Sequence, residues 1–173
     1  MVAKDPVGSN RAALLHPLRE LYVAGKEDLG RMLRFYIRDI HAVEDLVQQS
    51  FVEMHRVMGP SATLPQNPRA YLFQIARNLS MDYLQRRKMV SMEALSQDAF
   101  CAKSPATTVD AEPLRQAMNC LTAPEREVIA LKVYEDFTFA DIALITGMPP
   151  GTVHSHYRRG IESVRRLVGS RHR

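Results

Sequence analysis

The sequence contains few cysteines and no long apolar run, and these absences exclude several classes of protein. Its two cysteines, Cys101 and Cys120, show no Cys-x-x-Cys or Cys/His ligand spacing, so we expect neither a disulfide framework nor a zinc site. No apolar run approaches the roughly 18 to 20 residues that cross a bilayer, and no apolar segment followed by a cleavage site opens the sequence. The sequence therefore predicts a cytoplasmic protein that does not insert into a membrane.

Sequence motifs of the common enzyme classes are missing as well. The chain has no Gly-rich phosphate loop, no His-Glu-x-x-His and no Gly-x-Ser-x-Gly. The pair His154 and His156 makes a poor metal site, because residues two apart on a helix point about 200° apart. We therefore expect no enzymatic activity, no catalytic residue, no bound metal and no cofactor.

Positive charge is concentrated in two stretches. The 173 residues are 46% hydrophobic and 24% charged, which is typical of a soluble globular protein of one domain or two small ones. Residues 69–88 hold five basic residues and one acidic residue, and residues 151–173 hold six basic residues and one acidic residue. These local balances of +4 and +5 exceed the whole-chain net charge of +4, so the remainder is net acidic. Two separate sites for one polyanion are the simplest explanation.

Residues 137–167 are typical of two helices joined by a tight turn, with a basic second helix. Thr138 can cap the first helix, and Gly147 can end it because glycine readily takes positive φ. The second helix is expected to begin just after Pro150. Its predicted buried row consists of Val153, Tyr157, Ile161, Val164 and Leu167. The other faces carry histidines and arginines, which suits a helix in a DNA major groove. A merely solvated basic helix is the alternative.

The rest of the chain shows the 3.6-residue helical period over most of its length. Residues 41–58 form one helix, and Asn67 followed by Pro68 can begin the next. The apolar stripe expected on residues 41–58 consists of Val43, Leu46, Val47, Ser50, Phe51, Met54 and Val57. A further set is expected to pack inward after a helix start at Pro124, namely Val128, Ile129, Leu131, Val133 and Tyr134.

A change of composition separates these helical regions. Serine and threonine become frequent in residues 89–112, and the local charge balance falls to −3. We therefore predict an all-α fold of two small helical domains, residues 10–88 and 113–170, joined by a flexible linker at residues 89–112.

Three sequence blocks, in this order, resemble a known family. They are VEDLVQQSF at residues 43–51, NPRAYLFQIARNLSMDYLQRR at residues 67–87, and LTAPEREV at residues 121–128, followed by the helix-turn-helix. On these motifs the chain resembles a bacterial RNA polymerase sigma factor of the extracytoplasmic-function (ECF) group of the sigma-70 family, over most of its length. The resemblance implies an alternative sigma factor that binds core RNA polymerase and directs initiation at promoters by reading their −10 and −35 elements.

The resemblance also assigns roles to individual residues. Those expected to bind core polymerase are Glu44, Asp45, Leu46, Gln48 and Gln49. Those expected to bind and open the −10 element are Asn67, Arg69, Tyr71, Arg77, Asn78, Asp82, Arg86 and Arg87. Those expected to read the −35 element are Arg126, Thr138, Thr152, His154, Ser155, His156, Arg158 and Arg159. Residues 59–67 would hold a flipped non-template base, because strand opening requires a place for an unstacked base.

Further partners follow from the same resemblance. Besides core RNA polymerase and promoter DNA, it implies an anti-sigma factor, expected to be membrane-anchored. The acidic linker would thread through polymerase channels instead of folding alone. Each helical unit is small, so stabilisation by a partner fits this expectation.

Two departures and one rival qualify the resemblance. Histidines stand at positions 154 and 156 where many relatives have arginine or lysine, so we rely more on Arg158 and Arg159, and Gly160 replaces the usual alanine. LTAPEREVIALK followed by a helix-turn-helix is also similar to response-regulator effectors. Such regulators usually carry a receiver domain of alternating strands and helices, whereas the N-terminal half here has no β-rich run.

Overall fold

A computed structural model describes residues 6–59, 65–91, 118 and 120–169. Over these ranges the chain forms six α-helices, which confirms the all-α prediction. They are α1 (Pro6–Leu33), α2 (Ile40–Met58), α3 (Pro68–Ser91), α4 (Ala123–Ile129), α5 (Phe139–Thr146) and α6 (Pro150–Gly169). A π-helical turn, Ala130–Tyr134, continues α4. Residues 92–112 of the predicted linker and residues 60–64 of the predicted base-holding segment lie outside the described residues.

Helices α1 to α3 pack together as the first helical unit. Asp39 caps α2, because its Oδ1 accepts the N–H of His41 at 3.0 Å. Asn67 caps α3 in the predicted way, since its Oδ1 accepts the N–H of Ala70 at 3.1 Å and Pro68 takes the first helical position. The centre of this unit is mainly apolar, with Leu29, Leu33, Met54, Leu72 and Phe73 all buried.

The predicted apolar stripe of α2 is wrong at its last position. Val57 is 50% exposed, whereas Met58 is 4% exposed and belongs to the core. Met58 follows the buried Met54 by four residues, and Val57 follows it by three. Because the stripe drifts around the helix over four turns, the spacing of four keeps Met58 closer to the buried face than the spacing of three keeps Val57.

Helices α4 to α6 form the second helical unit, which contains the helix-turn-helix. Thr138 and Asp141 cap α5 reciprocally: Asp141 N–H donates to Thr138 Oγ1, and Thr138 N–H donates to Asp141 Oδ2, both at 3.1 Å. Gly147 ends α5 with φ of 70°, as predicted. The next helix includes Pro150 as its first residue, a position where a missing N–H costs nothing.

The prediction that Val133 and Tyr134 pack inward is wrong. They are 56% and 48% exposed, while the preceding Leu131 is buried. The π-helical turn Ala130–Tyr134 accounts for the difference, because its wider turn rotates the following side chains away from the face that α4 buries.

One apolar core runs through both helical units. Helix α3 packs along α5, and the buried Phe73 of the first unit meets the buried Phe137 of the second edge to face, with ring centroids 4.8 Å apart. A smaller cluster around Met118, Leu121 and Ile129 lies under α6. Within the described residues the two helical units are therefore in contact, and the division into two separate domains stays a prediction.

Gly160 allows α6 to approach α4 closely. A Cβ at this position would lie 2.5 Å from Ile129 Cδ1 and 3.3 Å from Ile129 Cγ1.

We expect Gly160→Ala to lower the free energy of unfolding by about 1 kcal/mol, since overpacking costs about 1–3 kcal/mol and exceeds the helical preference for alanine of about 1 kcal/mol. Urea unfolding measures the change. In an Ile129→Val background, which removes Cδ1, the same substitution should cost nothing; an equal cost in both backgrounds would contradict this explanation.

Candidate nucleic-acid interface

Helix α6 presents a basic surface on the side away from its buried row. Val153 is fully buried, and Phe139 of α5 packs edge to face on Tyr157, with ring centroids 5.2 Å apart. These contacts fix the rotation of α6 about its axis. As a result, Arg158 and Arg159 project outward, with 80% and 57% of their side chains exposed.

An open depression lies at the N-terminal end of this surface. It is lined by Gly151, Thr152, Ser155, Arg158 and Arg159. The first N–H groups of a helix have no intrahelical partner and carry the positive end of its dipole. In α6 the N–H groups of Thr152 and Val153 already donate to Pro149 O, at 2.9 and 3.1 Å, so the two guanidinium groups are the main donors that could bind a phosphate here.

The two arginines are held only by weak surface pairs. Arg158 Nε lies 4.0 Å from Glu162 Oε1, and Arg159 Nε lies 3.7 Å from Glu125 Oε1. Arg159 Nη2 also lies 3.1 Å from His156 Nδ1. Exposed pairs of this type contribute about 0–1 kcal/mol, so a phosphate can displace them.

The remaining polar residues predicted to read the −35 element occupy varied surroundings. The exposed His154 packs on Phe139, with ring centroids 4.0 Å apart and the ring planes tilted by 39°. Ser155 Oγ donates to Gly151 O at 2.8 Å, so its hydroxyl is engaged within the helix. Thr138 is exposed and caps α5. Contact of these residues with DNA stays a prediction.

Arg126 does not belong to this surface, and its predicted role as a −35 contact needs correction. Its side chain is buried, with Nε donating to Met118 O at 2.9 Å and Nη2 donating to Leu121 O at 3.0 Å. Both carbonyls precede α4. The guanidinium therefore holds in place the segment that leads into α4. It faces inward, away from any DNA on α6.

Helix α3 exposes a second polar surface along its length. Asn78, Asp82, Arg86 and Arg87 are exposed there, and Tyr71 is half-buried near the start of the helix. These five residues were predicted to bind the −10 element. Their exposure leaves that prediction open.

Three other residues predicted to bind the −10 element are bonded to acidic groups of the second helical unit. Asn67 Nδ2 donates to Asp141 Oδ1 at 2.6 Å. Arg77 Nε donates to Glu127 Oε1 at 2.5 Å. The third, Arg69, is bonded to Glu135. These acidic partners were not predicted from the sequence. The only indication of them there is the net acidity of the chain outside the two basic stretches.

Glu135 is the centre of the third contact. Arg69 donates through Nη1 to Glu135 O at 2.7 Å and through Nη2 to Glu135 Oε2 at 3.1 Å, and Arg31 Nε donates to Oε1 at 3.0 Å. Asp28 also faces this cluster, 3.2 Å from Arg69 Nη2. Desolvation by burial, assisted by the negative charge of Asp28, nevertheless raises the pKa of Glu135 against the opposing effect of the two arginines.

A further, partly buried polar contact joins the two helical units at Glu127. Tyr36 Oη donates to Glu127 Oε1 at 2.5 Å, so Tyr36 and Arg77 share one carboxylate. Burial, assisted by the adjacent negative charge, raises the pKa of Tyr36 well above its ordinary value. Desolvation lowers the pKa of Arg77, but the hydrogen bond and charge of Glu127 outweigh it, so the net shift is upward. Both groups keep their protons at neutral pH.

The outward face of α2 carries most of the residues predicted to bind core polymerase. Glu44, Asp45, Gln48 and Gln49 are exposed on neighbouring turns. Leu46 is 6% exposed and belongs to the apolar core. Its predicted role as a surface contact therefore needs correction, because its side chain lies in the core and can support the surface only by packing.

The described part of the chain lacks two other kinds of site. It contains no group of three or more His, Cys, Asp or Glu side chains placed to hold a metal ion. None of its helices combines the length and the apolar character of a membrane span.

Comparisons with known proteins agree with this arrangement. Residues 21–89 match the family model for sigma-70 region 2, and residues 111–164 match that for sigma-70 region 4. RNA polymerase sigma factor CarQ of Myxococcus xanthus is 28% identical over 77% of this chain and 78% of its own. ECF RNA polymerase sigma factor EcfG of Rhodopseudomonas palustris is 30% identical over 72% of this chain and 70% of its own.

A solved structure shares the fold. The sigma factor RpoE of Bartonella quintana, crystallised with the anti-sigma factor NepR, superposes with a TM-score of 0.70 at 24% identity, over 87% of this chain and 96% of RpoE. Region 2 thus falls on the first helical unit and region 4 on the second, in the order that the sequence predicted. The chain belongs to the extracytoplasmic-function sigma factors of the sigma-70 family.

Proposed function

We propose that this chain is an alternative sigma factor, which binds core RNA polymerase and directs transcription initiation at promoters with its own −10 and −35 elements. One observation carries the proposal: sigma-70 regions 2 and 4 match the two helical units in order, and each unit carries one of the two basic helices, α3 and α6. A polyanion contacted at two separate places suits a promoter with two elements.

The two helices would perform different tasks on the DNA. The depression at the start of α6, with Arg158 and Arg159 beside it, fits the major groove and phosphates of duplex DNA at the −35 element. Helix α3 carries a half-buried tyrosine, Tyr71, together with exposed Arg86 and Arg87. Aromatic and basic groups of this kind bind unpaired bases and their phosphates, so α3 is suited to the opened −10 element.

The role in transcription initiation implies where the chain would act and that the polymerase, not the chain, would catalyse the reaction. The chain would act in the cytoplasm, where core RNA polymerase works, with the exposed face of α2 around Asp45 and Gln48 as its docking surface. It needs no catalytic residue and no cofactor of its own, because the polymerase forms the phosphodiester bond. The sigma factor contributes positioning of the DNA and stabilisation of the opened strand.

The response-regulator reading is not favoured. A receiver domain alternates strands with helices, whereas the first helical unit, as far as it is described, consists of helices alone. The region 2 match over residues 21–89 occupies the place that a receiver would take.

We also propose an anti-sigma factor as a regulatory partner, expected to be membrane-anchored. RpoE of Bartonella quintana has been crystallised with the anti-sigma factor NepR, and the sequence resemblance carries the same type of partner over to this chain. Its identity would emerge from testing candidate anti-sigma proteins for loss of promoter-directed transcription when each is added to the purified chain and polymerase.

Association with core polymerase tests the proposed function. Purified chain mixed with core enzyme should co-elute from a gel-filtration column, and the isolated complex should retain specific sequences from a pool of random duplex DNA. Two recurring sequence blocks separated by a spacer should emerge from that selection. A chain that never co-elutes with core enzyme would remove the basis of the proposal.

Removing the two outward arginines of α6 should weaken promoter binding. We expect Arg158→Ala/Arg159→Ala to lower the affinity of the holoenzyme for the selected promoter by about 1–3 kcal/mol. The slope of log K against log salt should also flatten, by about 1 for each phosphate that the variant no longer neutralises. Fluorescence anisotropy across a salt series measures both quantities.

Arg166→Ala provides a control on the same helix. Arg166 is also exposed, but it lies two turns further from the N-terminal depression of α6. Its loss removes the same charge as one of the arginines above and should have a smaller effect. An equal effect per arginine at both places would mean that α6 contributes only its general positive charge.

A further inference from the structure

A cavity of about 290 Å³ lies between the two helical units, and its wall is mainly apolar. The first unit contributes Met32, Phe35 and Met81, and the second contributes Leu131 and Met148. Phe35, Met81 and Met148 are half-buried, so the cavity can be entered from solvent. Its volume is at the lower limit of the roughly 300–1,000 Å³ that small-molecule sites have. An occupant would therefore be small.

Three methionines on the wall determine what kind of molecule fits. Methionine is unbranched and flexible, so Met32, Met81 and Met148 can adapt to the outline of a bound molecule. A thioether sulfur also packs favourably against an aromatic ring, often at its edge. The methionines donate no hydrogen bonds. This part of the wall thus favours a flat aromatic ring over a polar molecule.

Three polar side chains on the same wall are bonded to one another. Glu127 Oε1 accepts from Tyr36 Oη and from Arg77 Nε, both at 2.5 Å. Burial raises the pKa of Tyr36 well above its ordinary value, so the hydroxyl stays a donor at neutral pH. Both donors are used within the wall. They hold the carboxylate of Glu127 in position.

The second oxygen of Glu127 can accept a further hydrogen bond. Oε2 accepts from Arg77 Nη2 at 3.4 Å, a longer bond than either bond to Oε1. A carboxylate oxygen has two lone pairs, so a good donor entering the cavity can bond Oε2. Arg126 also lines the cavity, but its Nε and Nη2 donate to the backbone carbonyls of Met118 and Leu121. Glu127 is therefore the group best placed to orient a ligand.

We propose that this cavity binds a small aromatic molecule with one N–H or O–H group, whose ring lies among the methionines and whose donor bonds Glu127 Oε2. A hydrogen bond to a carboxylate is about twice as strong as one between neutral groups. The apolar wall would supply most of the affinity, and Glu127 would select molecules that carry a donor. The site goes beyond the function proposed above, because its occupation requires neither polymerase nor DNA.

Indole is a suitable probe, because it is a small flat ring system with one N–H group. The chain contains no tryptophan, so indole emission can be excited with little background from the protein. We expect the anisotropy of this emission to rise as the full-length chain is added, with a dissociation constant on the order of 0.1 mM. The titration should extend to about ten times that concentration, where a site of this affinity is nearly saturated.

Indene tests the hydrogen bond to Glu127. It has the same fused rings as indole, with a CH₂ group in place of the N–H. As a competitor that displaces indole from the wild-type chain, it should bind about tenfold more weakly than indole. In Glu127→Gln, which keeps the shape and an acceptor oxygen but loses the charge, this ratio should shrink to about threefold.

Filling the cavity should remove the binding. Ala130 lines the cavity and is 5% exposed, so Ala130→Leu places a larger side chain in the space that the ring would occupy. Indole should then bind at least about tenfold more weakly. Ala140→Leu makes the same change at an exposed position of α5 outside the cavity wall, and it should leave the affinity within twofold. Circular dichroism checks the fold of each variant, and the comparison of indole with indene in the wild-type chain depends on no variant.

Three results would overturn the site. They are an unchanged anisotropy throughout the wild-type titration, equal affinities of the wild-type chain for indole and indene, and undiminished indole binding by folded Ala130→Leu. Failure of the sigma-factor function would look different, since the wild-type chain would then not co-elute with core polymerase, whether or not it binds indole.

Discussion

Replacing Phe73 by alanine should lower the free energy of unfolding by about 3–5 kcal/mol. Phe73 is fully buried, contacts Phe137 of the second unit edge to face and lies beneath the guanidinium of Arg69, 5.2 Å from its ring centroid. The substitution therefore leaves a cavity at the point where the cores of the two units join. A domain of this size is stable by about 5–15 kcal/mol, so the loss is a large fraction of the total. Urea unfolding followed by circular dichroism measures it.

Phe35→Ala is the matched control for this prediction. Phe35 is only half-buried, on the wall of the cavity between the units, with its ring centroid 6.4 Å from that of Tyr134. Its loss should cost about 1–2 kcal/mol, in proportion to the smaller apolar area removed. Equal costs for the two phenylalanines would show that the core does not run continuously from α3 into the second unit.

A triple substitution on α2, Asp45→Ala/Gln48→Ala/Gln49→Ala, should weaken binding to core polymerase by about 2 kcal/mol or more, or at least about thirtyfold. These side chains are exposed on neighbouring turns and have no role in the core, so the fold should be kept. Competition with the wild-type chain for a limiting amount of core enzyme measures the affinity. Circular dichroism and the urea midpoint verify the fold.

Three exposed residues on α1, namely Val23, Lys26 and Glu27, supply the control surface. Their replacement by alanine removes a similar number of solvent-exposed side chains from another helix of the same unit, and it should leave affinity for core enzyme within twofold. A drop in affinity for core enzyme as large as that of the α2 variant would mean that the docking surface extends over the whole unit. An unfolded α2 variant would show that its three residues are structural.

Much of the fold follows from local signals in the sequence. The caps at Asn67 and Thr138 and the positive φ of Gly147 depend on residues next to one another, so the sequence could predict them and the structure confirms them. The errors at Val57 and Val133 have another origin. Helical periodicity alone does not reveal the drift of a stripe along a long helix or a single π-helical turn.

In the candidate site, too, some features could be predicted from the sequence and others could not. The outward arginines of α6 follow from periodicity, because a buried row through Val153 fixes which face is exposed. The inward side chain of Arg126 could not be predicted, since arginines are rarely buried and its carbonyl partners are set by tertiary structure. The pairs that Arg77 and Arg69 form with the second unit could not be predicted either, because they join residues 50 and 66 positions apart in the chain.

Promoter-directed transcription by a reconstituted enzyme is the most direct test of the central claim. Core RNA polymerase, the purified chain and a linear template bearing the selected promoter should together give a run-off transcript of the length fixed by that promoter. Core enzyme alone, or with the α2 triple variant, should give little or none. A chain that binds core enzyme but yields no transcript above the level of core alone, on a template carrying its own selected sequence, would contradict the account.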